Sequence, residues 1–337
     1  MKEKTQLVTI IGAGAAGLSA RLTLRSRGVR SLVLEKSRGT GGRMSSRRGE
    51  GWVADLGAQF TAATDSNWSR LVRSQAEALL ELWHPDRPAQ LEESRRFAHR
   101  EGMSAFARAL LTHGGDASDV SFESRVTRIQ PHERGWEVQL ASGESFHSVA
   151  LVMTAPVPQA LQLFAESGLK LGAAERSSLE RLAYDPCLAV LAELDTPIPE
   201  SVPALLKNPS ASLSGVFAQG RKGLRGAGRI LVAHASPTLS RALWDRPESE
   251  ALARILLETQ SVLQPFSAAL DVRASGLHRW RYCEPVQVHP EAFFRLNGSA
   301  PLYLAGDAFG RSSVEGAFVS GAAAARELLR ELDASSA

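Results

Sequence analysis

Apolar and polar positions alternate along this chain in a way that predicts an α/β fold. Leu7-Val8-Thr9-Ile10-Ile11 is a mostly apolar run ending at Gly12, the pattern of a parallel strand buried on both faces. Ala15 to about Arg27 carries Ala16, Leu18, Ala20, Leu22 and Leu24 without proline and stops at Gly28, which predicts a helix with a glycine cap. Ser31-Leu32-Val33-Leu34 is a second short strand ending at Glu35. Together these segments make a βαβ unit. Helical segments are expected near Trp68–Leu82 and Met103–Leu111, then strands at Val126–Gln130, Trp136–Leu140 and Ser145–Met153, set off by Arg134-Gly135 and Ser142-Gly143 turns. The last strand runs into Thr154-Ala155-Pro156. Beyond it amphipathic helices such as Glu248–Leu263 mix with strands such as Ile230–Ala235, until a strand at Pro301–Ala305 and an Ala-rich helix at Val314–Leu332 close the chain. No internal repeat is evident.

Strand, turn and helix at both ends imply that the termini build one domain and the middle another. The expected division is residues 1–60, 100–156 and 298–337 for a discontinuous Rossmann-type domain, with 61–99 and 157–297 forming an inserted α+β substrate domain. The active site is expected where the two meet.

Composition narrows the class. The 337 residues, 44% apolar and 22% charged, describe an ordinary globular chain rather than a disordered or fibrous one. The formal charge is only +3, six lysines stand against 33 arginines, and the arginines are spread along the whole chain, so nothing demands a nucleic-acid partner. Cys187 and Cys283 form no metal-ligand or disulfide framework, which makes a reduced, metal-free interior the expectation. After Lys2, Glu3 and Lys4 the first apolar run is too brief for a signal peptide, and no stretch approaches the roughly 18 apolar residues of a membrane span. A cytoplasmic location is expected.

Glycine is more telling by position than by number: seven of the 28 fall between Gly12 and Gly42. Gly12-x-Gly14-x-x-Gly17 follows a buried strand and opens a helix. The first glycine permits the tight turn, the second lets the backbone approach a pyrophosphate, and the third lets helix and strand pack closely. The helix start at Ala15 and Ala16 offers N–H donors and a positive dipole, and Glu35 is placed to bind ribose hydroxyls. Three further features favour a flavin over a nicotinamide dinucleotide. A second Gly-rich loop, Lys36-Ser37-Arg38-Gly39-Thr40-Gly41-Gly42-Arg43-Met44, follows Glu35 at once and brings cations and backbone donors. Gly306-Asp307 closes a late strand, where a carboxylate suits a ribityl chain. Val314-Glu315-Gly316-Ala317 opens the final helix, whose N-terminus suits the charge on a reduced flavin.

With these residues the chain resembles the flavin amine-oxidase superfamily, and within it the renalase family, especially the bacterial members. The carriers are Ile10–Leu18, the Lys36–Ser46 loop, Leu56-Gly57-Ala58-Gln59, Thr154-Ala155-Pro156, His278-Arg279-Trp280-Arg281-Tyr282, Gly306-Asp307 and Val314–Ala317, spread over nearly the whole length. The resemblance implies non-covalent FAD, held also by Gln59, Val126 and Thr154. It implies oxidation of 2- or 6-dihydro-NAD(P) isomers by hydride transfer to the flavin, with O2 as final acceptor and hydrogen peroxide as product.

Amine oxidases of the superfamily use a lysine near the flavin, and here only Lys170, Lys207 and Lys222 are available in the middle region, none in a matching segment. An amine or polyamine oxidase remains one alternative; an FAD-dependent desaturase or isomerase, and an FAD-binding protein without activity, are others. Phe60, Trp280 and Tyr282 are candidate aromatic walls of the substrate site, although Trp280 and Tyr282, two apart on a strand, serve equally well as core. Gln59, His234 and Arg279 are candidate polar anchors, with His234 in an apolar strand also readable as a satisfied buried histidine. Arg47-Arg48 and Arg95-Arg96 read as solvated pairs or as aids to a substrate phosphate. Where bacterial renalases have Tyr-Phe-Thr after Gly-Ala-Gln, this chain has Phe60-Thr61-Ala62; after Gly306-Asp307 it has Ala308-Phe309 in place of Trp-Cys, and Leu239 replaces an expected aromatic. The cofactor loops thus match better than the substrate walls.

Overall fold

A computed structural model describes residues 7–83, 95–113, 115–266, 270–298 and 300–336. Lys2, Glu3 and Lys4 lie outside the described residues. The chain divides into two compact units, one from 1–42, 107–184 and 285–337, the other from 43–106 and 185–284. These cuts differ from the expected ones: the first unit yields at Gly42 rather than near residue 60, and it keeps the two helices after Pro156.

The first unit is built on a six-stranded sheet. Its order is Phe294–Arg295, Leu302–Leu304, Ala150–Met153, Leu7–Ile11, Arg30–Leu34 and Val120–Ser121. All neighbours are parallel except the edge strand at Phe294–Arg295. Ile10 sits between Val152 and Val33, and Val8, Thr9 and Ile10, which alternate between the two faces, are all fully buried, as the apolar run requires.

The helix at Ala15–Arg25 ends two residues before the sequence expectation, because Gly28 (φ 73°) takes the left-handed position and Val29 N–H returns to Leu24 C=O. This helix packs on the final helix, Val314–Ser336. Backbones touch there: a Cβ on Gly321 would lie 2.0 Å from Ala16 O. Arg21, fully buried on the first helix, is held by Asp119 and by the carbonyls of Leu111 and Asp116.

The strand expected at Ser145–Met153 is two strands. Ser145–Ser148 pairs antiparallel with Gly135–Leu140 in a three-stranded sheet, while Ala150–Met153 joins the parallel sheet. Val149, whose N–H bonds Leu7 C=O, is the point of exchange. Aromatic and aliphatic side chains of these sheets, including Trp136, Val138, Leu151 and Met153, share one core with Phe164 of the helix Val157–Glu166.

The second unit centres on a five-stranded antiparallel sheet ordered Leu205–Lys207, Leu213–Ala218, Ile230–Ala235, Tyr184–Leu194, Val272–Pro285. Alternation assigns its faces. Leu188, Val190, Leu231 and Ala233 point to a core shared with Ile255 and Leu263 of the helix Glu248–Leu263. Leu191, Ile230, Val232 and Phe217 point the other way, to a core with Val53, Ala54 and Leu56.

The segment expected to be helical at Trp68–Leu82 is helical only over Ser66–Arg73. Leu79–Trp83 is a strand that pairs antiparallel with Arg95–His99. Asp65 caps the short helix by accepting from the N–H groups of Asn67 and Trp68, and cross-strand pairing overrides the helical pattern of the residues that follow. Among the described residues no helix is long and apolar enough to cross a membrane.

Candidate functional site

The cofactor candidates Gly12, Gly14, Ala15, Ala16, Gly17, Glu35, Lys36, Arg38, Gly42, Val126, Thr154, Gly306, Asp307, Val314, Glu315, Gly316 and Ala317 belong to the first unit; Arg43, Met44 and Gln59 belong to the second.

In the first unit the fingerprint turn is tightly made. Gly12 adopts φ 110°, and a Cβ on Gly17 would lie 1.9 Å from Gly12 O, so only glycine lets helix and turn approach so closely. Thr154 Oγ1 ties the neighbouring strand end to this turn, donating to Ile11 C=O at 2.9 Å. The second Gly-rich loop folds onto the same turn: Gly41 N–H and Thr40 Oγ1 both donate to Ala13 C=O.

Room for a ligand shows as open space at the glycines that close packing does not explain. A Cβ placed on Gly14, Gly39 or Gly306 would meet nothing within 4 Å. At Gly14 that space lies beside helical N–H groups with no partner inside their own helix, which suits a pyrophosphate. The residues present therefore fit a dinucleotide-type flavin.

Glu35 is buried, and its carboxylate already accepts from Ala13 N–H and Ser37 N–H, both at 2.8 Å. Those bonds set the carboxylate in place, and a carboxylate has lone pairs left for two hydroxyls. Lys36 and Arg38 are exposed, and Val126 begins a half-buried strand. Asp307 accepts from Tyr184 Oη at 3.2 Å, a partner that sequence reasoning missed. At the start of the final helix Ser313 Oγ accepts from Gly316 N–H, and buried Glu315 pairs with Arg311 at 2.8 Å.

In the second unit the Leu56–Gln59 loop is clamped from several sides. Leu56 C=O receives both His234 Nε2 at 2.9 Å and Trp280 Nε1 at 3.1 Å. A carbonyl only accepts, so His234 carries its proton on Nε2. Burial pushes its pKa down to about 4, which keeps the ring neutral at neutral pH. Ala58 N–H donates to Arg43 C=O, and the Trp280 ring lies 3.3 Å from where a Cβ of Gly57 would stand.

Gln59 corrects the sequence reading, which offered it as an anchor for substrate or cofactor. Its Oε1 accepts from Lys222 Nζ at 2.8 Å and Gln219 Nε2 at 2.9 Å, while its Nε2 donates to Asp55 C=O at 2.6 Å and Gly57 C=O at 3.1 Å. That is the full capacity of a carboxamide. The Gln59 side chain is spent on holding the loop.

Lys222 and Asp55, both fully buried, form an ion pair at 3.1 Å. Asp55 Oδ1 accepts from Ser46 Oγ and Met103 N–H, each at 2.7 Å, and Asp55 N–H donates to Gln219 Oε1. Desolvation pulls the Lys222 pKa down, partly opposed by the attraction and hydrogen bond of Asp55. The cluster escaped sequence reasoning because Asp55 and Gln59 lie more than 150 positions from Gln219 and Lys222, with no motif joining them.

Arg279 is likewise redirected. It reaches the carbonyls of Trp244 and Arg246 and pairs with Glu248 at 3.6 Å, whereas Trp280, its neighbour on the strand, faces the Leu56 side. Phe60 and Trp280 pack against the Val53–Leu56 core, with the Arg96 guanidinium 5.9 Å from the centre of the Phe60 ring. Tyr282 is half-buried on the same strand as Trp280. Arg47 is exposed and holds the His278 pKa down together with burial, the larger cause; Arg95 pairs with Glu81.

Residues 63–329 match the flavin-containing amine oxidoreductase family, and residues 10–74 match an NAD(P)-binding Rossmann-like domain. The chain belongs to the flavin-containing amine oxidoreductases. Renalase from Mus musculus is 26% identical over 189 residues, 52% of this chain and 55% of that protein, so the match spans about half of either. Solved structures are also similar. A protoporphyrinogen oxidase from Exiguobacterium sp. 255-15 superposes with a TM-score of 0.73 at 12% identity, covering 98% of this chain and 99% of that one. Wild-type putrescine oxidase bound to putrescine gives 0.73 at 14% identity, covering 96% and 99%. At these identities the two structures establish the fold. The chain is thus a flavin-dependent oxidoreductase with a Rossmann-like dinucleotide domain.

Proposed function

We propose that the protein is a renalase-like, FAD-dependent oxidase acting on 2- or 6-dihydro-NAD(P) isomers. The observation that carries this reading is Lys222. It is the buried lysine of the middle region, and its ammonium is engaged by Asp55 and Gln59 within the scaffold of the loop. A lysine spent on the scaffold argues against amine chemistry that relies on one. Hydride abstraction from a dihydronicotinamide ring needs no strong base, because the ring gains aromaticity as the hydride departs and the protein has chiefly to align two flat rings. The partial similarity to Renalase points the same way.

In this reading the N-terminus of the first helix, with Gly12, Gly14 and Gly17, would hold the pyrophosphate. Glu35 would hold the adenosine ribose, Asp307 the polyol chain, and the start of the final helix the carbonyl edge of the flavin. Bound FAD would supply the hydride acceptor and, through O2, hydrogen peroxide. Phe60, Trp280 and Tyr282 would offer flat apolar surface to the substrate ring. Neutral His234 and Trp280 would keep the Leu56–Gln59 loop in one conformation.

Anaerobic mixing of the flavin-loaded protein with each dihydro-NAD(P) isomer, and with putrescine and other amines, tests the reading. Rapid bleaching of the oxidised flavin spectrum by a dihydro isomer, and none by amines, is expected. Bleaching by an amine alone would replace this reading with an amine oxidase.

A further inference from the structure

The two cysteines, 96 positions apart in sequence, meet in the second unit. Cys187 lies on the strand Tyr184–Leu194 and Cys283 on Val272–Pro285, which are neighbours at one edge of the five-stranded sheet. Hydrogen bonds at either end run these strands antiparallel: Val286 N–H donates to Ala183 C=O, and Asp195 N–H to Asp271 C=O, each at 2.9 Å. Cys187 shares a side-chain hydrogen bond with Cys283, and neither is in a disulfide.

Their surroundings differ. Cys187 is 4% exposed, whereas Cys283 is half-buried and reaches solvent. The hydrogen bond to Cys283, together with burial, pushes the Cys187 thiol pKa well up, so Cys187 is a poor first nucleophile. An accessible thiol beside a buried partner is the arrangement of an attacking and a resolving cysteine.

We propose that Cys187 and Cys283 form a peroxide-responsive pair that closes into an intramolecular disulfide. The Cys283 sulfur attacks one oxygen of hydrogen peroxide; the O–O bond breaks, the sulfur becomes a sulfenic acid, and the departing hydroxide takes the thiol proton as water. The Cys187 sulfur then attacks the Cys283 sulfur; the S–O bond breaks, and the hydroxyl leaves with the Cys187 proton as a second water. Two thiols lose two electrons and one peroxide is reduced to two waters.

A disulfide needs Cβ atoms about 3.5–4.5 Å apart, closer than side chains on neighbouring strands ordinarily stand, so closure asks for a movement of the strand. That movement has somewhere to go. Arg43 Nη1 donates to Cys283 C=O at 3.0 Å, and Arg43 C=O accepts from Ala58 N–H at 2.9 Å. A shift of the strand at Cys283 therefore pulls on the second Gly-rich loop and on the Gly57–Gln59 loop together, and weakened flavin retention follows. Supply of peroxide by the protein's own turnover rests on the oxidase reading above; the thiol chemistry does not.

The flavin-loaded protein, reduced with dithiothreitol and then freed of it, is treated with added hydrogen peroxide. Expected are loss of both titratable thiols, an intact mass lower by two hydrogens, a cross-linked Cys187–Cys283 peptide, and release of flavin that dithiothreitol reverses. In C187S, dimedone traps a sulfenic acid at Cys283; in C283S, Cys187 stays reduced. Persistence of both thiols, overoxidation of Cys283 beside an intact Cys187, or a disulfide-linked dimer would each overturn the proposal. Because peroxide is added, these outcomes are independent of whether any substrate reduces the flavin, which is where the oxidase reading would fail.

Discussion

Replacing Lys222 by methionine removes one charge from the middle of a saturated network. Lys222 Nζ stands 3.1 Å from Asp55 Oδ2, with both side chains fully buried. At an effective dielectric constant of about 20, the attraction at that separation is about 5 kcal/mol, much of it offset by the cost of desolvating both charges. Deleting the ammonium alone leaves the Asp55 carboxylate buried with Ser46 and Met103 as its remaining donors. Breaking a buried pair in this way costs about 3–5 kcal/mol. Adding Asp55→Asn removes the stranded charge, so the double variant should be more stable than K222M alone by about 1–2 kcal/mol.

Urea denaturation followed by tryptophan fluorescence measures both stabilities. Flavin reduction by substrate, normalised to flavin-loaded protein, should change by less than about tenfold in K222M, since a group outside the chemistry removes little transition-state binding. K222M within about 1 kcal/mol of the parent, or no recovery in the double variant, would refute the electrostatic argument. A flavin-loaded K222M slowed by more than about a hundredfold would move Lys222 from scaffold to chemistry.

Gly14→Ala should leave the stability of flavin-free protein within about 0.5 kcal/mol while weakening flavin binding at least about tenfold, because its Cβ enters open space in the cradle; fluorescence titration with FAD decides it. Gly17→Ala should lower both, since its Cβ would meet Gly12 O at 1.9 Å, and equal stability of the two variants would contradict that difference. Acidification should destabilise the second unit through His234. Its folded pKa of about 4 lies below the ordinary value of 6.5, so the unfolded chain binds the proton first, and stability falls as pH drops from 6.5 towards 4. The full loss is up to about 3 kcal/mol, and His234→Gln should flatten that part of the stability–pH curve. Trp280→Phe, which keeps an aromatic ring but drops the bond to Leu56 C=O, should cost at least about 0.5–1.5 kcal/mol; thermal unfolding with no measurable change would detach Trp280 from the loop.

Local physics made several elements readable in advance. An apolar run ending at Gly12 has few alternatives to a buried strand, and Gly17 is required wherever helix and strand approach so closely. The Glu248–Leu263 helix and the Ile230–Ala235 strand coincide with their hydrophobic patterns. Patterns failed where pairing with distant residues decided the outcome. Leu79–Trp83 has helical spacing but finds Arg95–His99 across a strand pair, and the Ser145–Met153 run reads as one strand yet divides between two sheets at Val149.

The family, its Rossmann-like unit and the tight glycine turn were thus properties of the sequence by itself, because backbone conformation and close approach at Gly12 and Gly17 depend on neighbours a few positions away. What Gln59, Lys222, Arg279 and the cysteines do was left to the tertiary structure. A side chain's hydrogen-bonding capacity is spent on whichever groups lie near it in space, and folding brought Asp55 to Lys222, Glu248 to Arg279 and Cys187 to Cys283.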